Sequence, residues 1–344
     1  MKRIMNRSFR FTFGVLLALA FLGFSQHGDV LAAAKSPEPM AKVMSSYGGE
    51  AGYQAPLWIA HNLKLFAKQG INSEIVRIAG GSRSSATLLS NSTQISQGSL
   101  VSAIQATLAG GDLVAIATST NRPAVSVIVQ PKSVKTPRDL AGKKIGLVSR
   151  GAWDEFFLLK ALKQWGVDPK TITMITIPGS QLRLVAVAEG TIDATLLAPP
   201  ATFEADKLLL TTLMDFSTAS DSFPQCSLTV RRDFLSKNRD LLKRYLMAYT
   251  EAIHVMKTDP DKTLPVMKQY TRTKDDLIAR RSYNYYAKLL SQPPLTDEKG
   301  VAFVLDFLSS ETGGAGAKNL KPADFIDNSL LTEIQREGFF SRLK

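Results

Sequence analysis

The feature that most constrains this chain is a unit that recurs along it: a short apolar run, a glycine-bearing loop, then apolar residues at helical spacing. Ala41 to Tyr47 leads through Gly48, Gly49 and Gly52 into Gln54 to Gln69, where Leu57, Ile59, Ala60, Leu63, Leu65 and Phe66 keep a helical period. Ile71 to Ile78 leads through Gly80 and Gly81 into a helix that Ser82 can cap. Thr93 to Ser96 leads through Gly98 and Ser99 into a helix reaching Ala109. Strand, glycine loop and helix in that order predict βαβ units and a parallel sheet. Such a loop leaves the first N–H groups of its helix unpaired, which favours an anion or a polar ligand oxygen at the turn.

Leu113 to Ser119 adds an apolar strand, after which Arg122 and Pro123 break the pattern. The run Ala124 to Val129 reads as a strand leaving the first unit. Thr136 to Leu140 is a helical turn. Lys144 to Val148 is then a strand, Ser149, Arg150 and Gly151 a loop, and Ala152 to Trp165 a helix stopped by Gly166. In isolation that loop reads as an ordinary βα turn. Thr171 to Ile177 is a strand, Gln181 to Glu189 a helix and Ile192 to Leu197 a strand, and Pro199 and Pro200 open another helix. Ser222 to Val230 returns as an extended run. Helices follow over Asp233 to Lys257, Asp261 to Tyr270, Thr273 to Tyr286 and Thr296 to Leu308, with a last one within Asp324 to Arg342.

At 344 residues the chain can fill two domains of ordinary size. Lys2, Arg3, Arg7 and Arg10 precede an apolar run from Phe11 to Phe24, and Ala32, Ala33 and Ala34 follow. This is the layout of a secretory signal peptide over residues 1–34, cut after Ala32 or Ala34. The run is shorter than the roughly 20 residues of a spanning helix, and no cysteine follows it for lipid attachment, so a soluble protein of a Gram-negative periplasm is expected. Without residues 1–34 the net charge falls from +12 to +9, because four basic groups and Asp29 leave together. The remaining lysines are scattered with no aromatic-interleaved stripe, so nucleic acid is not an expected partner. Cys226 is the only cysteine, and His61 and His254 stand far apart without carboxylates at ligand spacing. No disulfide, metal or other cofactor is expected.

Five stretches carry a resemblance: GYQAPLWIAHNLKLFAKQGINSEIV (52–76), GGSRSSATLL (80–89), SVIVQPKSVKTPRDLAGKKIGL (126–147), EGTIDATLLAPPATFEA (189–205) and FIDNSLLTEI (325–334). They resemble the periplasmic substrate-binding proteins of ATP-driven ABC uptake systems, in the SsuA/THI5-like (NMT1) branch that handles sulfonates, taurine, nitrate and thiamine precursors. The run from Pro131 to Ile145 is the most telling, although Gln130 precedes the proline here.

The resemblance implies an α/β protein of the two-lobed periplasmic-binding-protein fold (type II). It would have two mixed, mostly parallel sheets with helices on both faces, and two hinge crossings near Ser119 to Val125 and Ser222 to Ser227. Lobe one would be residues 40–120 with 227–310, lobe two 124–222, and 311–344 a C-terminal helical tail packed on lobe one. The implied role is that of a monomeric, non-catalytic binder that captures a small organic anion between the lobes and delivers it to an inner-membrane permease.

Contacts in this family come from the loops after the early strands. On this chain that nominates Tyr47, Tyr53 and Gln54, then Ser82, Arg83 and Ser84, then Gly98 and Ser99. Lobe two would add Ser149, Arg150, Gly151, Gln181 and Pro199. Arg83 and Arg150 would grip one anionic group from opposite walls, or else stand as solvated rim residues, and Asp154 in the same first turn would offset Arg150. Tyr47, Tyr53 and Trp153 could line a site for a flatter anion or serve as packing. Two other roles stay open. One is an enzyme of thiamine-pyrimidine synthesis on the same fold, which draws on histidine and a cysteine cluster that this chain lacks. The other is a periplasmic sensor or adaptor signalling to a membrane receptor.

Overall fold

The opening repeat builds one sheet. β1 (Ala41–Tyr47) pairs in parallel with β2 (Ile71–Arg77) along its whole length and with β3 (Ile95–Gly98) on its other side. β4 (Leu113–Thr120), with every residue buried, forms the far edge. The chain then crosses to a second sheet, in which β6 (Lys144–Leu147) runs parallel to β7 (Thr173–Thr176) and β8 (Ala194–Leu197). β5 (Ser126–Val129) lies antiparallel between β8 and β9 (Thr211–Asp215). β10 (Cys226–Arg231) returns to the first sheet and inserts antiparallel between β3 and β4. The orders are β2-β1-β3-β10-β4 and β7-β6-β8-β5-β9, so the α/β class with two mixed sheets is as the sequence predicts. This computed structural model describes residues 39–219, 221–311 and 320–343; the expected signal peptide and part of the expected C-terminal tail lie outside them.

The cores follow the apolar periodicities. Leu57, Trp58, Ile59 and Ala60 are fully buried, and Trp58 stacks on Tyr270 with centroids 4.9 Å apart and planes 8° from parallel. In the second half, Phe156 and Phe157 pack on Phe223 at 5.2 and 4.6 Å, and helix Glu298–Glu311 lays Phe303 and Phe307 on Phe156 at 5.6 and 4.3 Å. Rings packed this way contribute beyond the area they bury.

Four local expectations are corrected. The helix predicted over Gln54 to Gln69 breaks at Lys64, whose φ of 59° is left-handed, into Ala55–Asn62 and Leu65–Lys68. The helix predicted from Asp233 breaks at Asn238, with φ −130° and ψ 35°, into Arg232–Lys237 and Arg239–Thr258. The third strand begins at Ile95, because Thr93 is held in the preceding loop by a 2.9 Å bond to Thr87. β9 has no counterpart in the sequence reading: Thr211 to Asp215 lies on a sheet edge with no residue fully buried, so it lacks the apolar run that marks an inner strand.

Candidate functional site

The loop ends of the two sheets face each other across a cavity of about 60 Å³. At roughly 10–15 Å³ per water-sized position, that holds a handful of heavy atoms. The loop after β1 contributes Gly48, Gly49, Glu50, Tyr53 and Gln54; the helix after β2 contributes Gly80, Gly81, Ser84, Ser85 and Leu88; and β3 with its helix contributes Ser96, Gly98, Ser99, Ser102 and Ala103. The second half supplies Val148, Ala152, Trp153, Ser180, Arg183 and Ala198, and the return strand Gln225 and Thr229.

Three helices begin at this wall with no acidic residue in the first turn: Gly81–Leu89, Leu100–Leu108 and Ser180–Ala188. Two of them touch through Gly81, where an added Cβ would lie 1.8 Å from Ser102 Oγ, so only glycine allows both helix starts to face the cavity together. A fourth helix, Trp153–Trp165, carries Asp154 and Glu155 in its first turn.

Arg183 is the central charge. Its side chain is 1% exposed, yet it lines the cavity. Nε donates to Thr195 Oγ1 at 3.1 Å, Nη1 to the Ile177 carbonyl at 2.8 Å and Nη2 to the Leu196 carbonyl at 3.4 Å. A guanidinium has five N–H donors and keeps its proton, so two donors remain uncommitted on a fixed cation. Burial pushes its pKa down and Asp154 pulls it back up. Asp154 is itself fully buried. Its Oδ2 accepts the Val148 N–H, its Oδ1 has no partner, and burial raises its pKa to about 6 against the pull of Arg183.

The uncharged groups at the wall present donors. Gln97 Nε2 donates to Gln54 Oε1 at 2.6 Å, while Gln97 Oε1 accepts from the Tyr249 hydroxyl at 2.7 Å. With its oxygen so occupied, Gln54 turns Nε2 toward Gly48. Gln225 Nε2 is buried with no hydrogen-bond partner, an arrangement that costs about 1–3 kcal/mol unless something fills it. Burial raises the Tyr53 phenol pKa, which keeps it protonated. Glu50 is the one carboxylate lining the cavity among the described residues, and it is offset by Arg77 at 3.4 Å and Arg272 at 3.9 Å. Donors, helix starts and one buried cation together suit a ligand rich in acceptor oxygens.

Of the thirteen expected contact residues, Tyr53, Gln54, Ser84, Gly98 and Ser99 line this cavity. The other eight do not. Tyr47 packs edge-on against Trp58 and Tyr270 at 5.8 and 6.0 Å. Ser82 and Arg83 lie on the exposed face of their helix, opposite Ser84, Ser85 and Leu88, and the helix is capped by Gly80 rather than Ser82. Arg150 swings outward to Glu155, with Nε 2.9 Å from Oε1, so Glu155 rather than Asp154 offsets it and no clamp of two arginines forms. Gly151, at φ 70°, gives its carbonyl to Ser102 Oγ at 3.0 Å, and Ser149 Oγ is buried without a partner beside Gly80. Gln181 donates to Glu204 at 2.6 Å. The Pro199 carbonyl accepts from the Gly52 N–H at 3.3 Å and the Tyr286 hydroxyl at 2.9 Å.

Sequence reasoning missed Arg183, Gln225 and Glu50. For Arg183 a signal exists: it adjoins Leu184 and precedes Val187 by one turn, so it is an arginine on the apolar stripe of its helix. For Gln225 and Glu50 no periodicity speaks.

A family model described as NMT1/THI5 like matches residues 51–263. No curated protein matches the chain in sequence. A solved structure from Bordetella bronchiseptica RB50 is similar with a TM-score of 0.80 at 20% identity, over 87% of this chain and 98% of that one. The periplasmic aliphatic sulphonate binding protein SsuA from Escherichia coli is similar at TM-score 0.63 and 19% identity, over 79% and 93% of the two chains. The periplasmic nitrate-binding protein NrtA from Synechocystis PCC 6803 is similar at 0.68 and 14%, over 87% and 89%. These likenesses show a shared fold, that of the periplasmic binding proteins.

Proposed function

The chain belongs to the NMT1/THI5-like family, and on that premise we propose that it is the solute-binding component of an ABC-type import system, exported to the periplasm, which holds a small oxyanion between two lobes built on its two sheets. The observation that carries this reading is the buried Arg183 guanidinium at the cavity wall, with uncommitted donors, while Gln225 Nε2 lines the same cavity without a partner. Nitrate and short sulfonates, which similar proteins are named for binding, fit the size of the cavity. Delivery to a permease as a monomer completes the reading. A binder rather than an enzyme is favoured by Cys226: its buried thiol is pushed up to about 12 and offers no nucleophile at neutral pH.

The test is a thermal-shift and calorimetric screen of the purified protein against nitrate, aliphatic sulfonates and small carboxylates. One class should bind with a micromolar or better constant. Arg83→Ala and Arg150→Ala should leave that affinity within about twofold, since both side chains face solvent. A tenfold loss in either would move the site away from Arg183.

A further inference from the structure

Asp154 is a buried carboxyl just behind this wall: its Oδ2 accepts the N–H of Val148, a lining residue, and Arg183 Cδ lies 3.5 Å from where a Cβ on Gly146, two residues earlier, would stand. Asp154 follows Ala152 and Trp153, which line the cavity, and its Oδ1 is buried with no hydrogen-bond partner. Few groups face it. Helix Ser180–Ala188 presents Arg183, and the loop after β1 presents Tyr53, a neutral phenol. On its own helix, Glu155 turns away to Arg150 and to the Gly151 N–H, and Lys160 pairs with Asp221 at 2.6 Å. Helix Glu298–Glu311 meets this helix with the rings of Phe303 and Phe307. Beyond Arg183, Glu50 and Arg77 pair with each other. The local charge therefore reduces to one guanidinium and one carboxyl.

Two states follow. An ionised Asp154 cancels Arg183, and the remaining donors suit a neutral ligand. A protonated Asp154 leaves the guanidinium uncompensated, and the wall then attracts a monoanion. We propose that Asp154 sets the charge of the ligand this cavity takes, so that an anion enters together with one proton, drawn from solvent and kept on Asp154. The inference rests on the reading of the cavity as an oxyanion site and adds the condition under which that site fills. Burial already holds the carboxyl at about 6, and a second negative charge nearby raises it further.

The test titrates the purified protein calorimetrically with nitrate, ethanesulfonate and acetate between pH 5 and 8, in buffers of different ionisation enthalpy. Close to one proton should be taken up per anion bound at pH 7, and affinity should fall by up to about tenfold per pH unit as Asp154 ionises. Asp154→Asn keeps an oxygen for the Val148 N–H; it should bind the anion with no proton uptake and a flat pH profile. Should that variant not fold, the Asp154 carboxyl carbon resonance of the unaltered protein gives the same answer, with a midpoint near 6 that the bound anion moves upward. Anion binding without proton uptake, or a midpoint near 4, overturns the proposal and leaves the oxyanion site standing. Failure of all three probes to bind at any pH overturns both.

Discussion

Replacing Arg183 by methionine keeps the stem of the side chain and removes its charge. Three hydrogen bonds are lost, leaving the Ile177 and Leu196 carbonyls and the Thr195 hydroxyl short of a donor in a buried setting. At about 1–3 kcal/mol for each buried group left unmade, discounted for the long 3.4 Å contact to Leu196, the loss is about 3–5 kcal/mol, similar to that of breaking a buried ion pair. The loss should depend on pH. Asp154 has a folded-state pKa of about 6, above the unfolded value, so its contribution is fully present below about pH 4 and is lost as pH rises through 6. Without Arg183 the largest pull toward its ionised form is gone and only backbone N–H groups such as that of Val148 still favour it, so the folded-state pKa climbs further and the loss continues toward pH 8. Urea unfolding should therefore show a larger penalty at pH 8 than at pH 5. Adding Asp154→Asn should recover part of the difference, with a coupling of about 1 kcal/mol or more in the double-mutant cycle. Anion affinity should fall about 10- to 100-fold, the value of one charge-assisted hydrogen bond at about 1.5–3 kcal/mol. A folded Arg183→Met protein with unchanged affinity, or with equal penalties at both pH values, refutes the reasoning.

Three further outcomes are expected. Gly81→Ala places a methyl within 1.8 Å of Ser102 Oγ and 2.4 Å of its Cβ, so the two helix starts must part; chemical denaturation should show a loss of about 1–3 kcal/mol, and anion affinity should drop with it. Tyr286→Phe removes the 2.9 Å bond to the Pro199 carbonyl and should cost about 1–2 kcal/mol, with no change in secondary structure by circular dichroism. Cys226, whose buried thiol is pushed up to about 12, should resist iodoacetamide at pH 8 in the folded protein and react readily in urea; equal rates would mean that the thiol is not buried.

The glycine loops made most of the fold legible, because each marks where a strand must turn into a helix, and this places nearly all the inner strands. The first-sheet share of the site was partly legible for the same reason: Gln54, Ser84 and Ser99 sit at those turns. The second-sheet share was not. A loop's sequence does not say which of its side chains turns inward, and Arg150 turns out to Glu155. The buried cation came instead from one turn inside a helix, at Arg183, where the loop rule does not reach. Gln225 lies in an extended return segment whose neighbours are fixed by chain more than a hundred residues away. β9 escaped because a sheet-edge strand has no need of a continuous apolar run.

The insertion of β10 between β3 and β4 bears on how the chain comes to be folded at all. Residues 121–225 separate β4 from the strand that joins it to β3, and at roughly 5–20 residues per second of synthesis they take about 5–20 s to appear. Through that interval the first sheet has a missing member, and the segment from 39 to 120 cannot reach its final pairing by itself. Long-range pairing of this kind is slow to form and leaves strand edges open meanwhile. For a chain exported as proposed here, residues 39–120 therefore lack their final pairing until the chain has been made as far as β10.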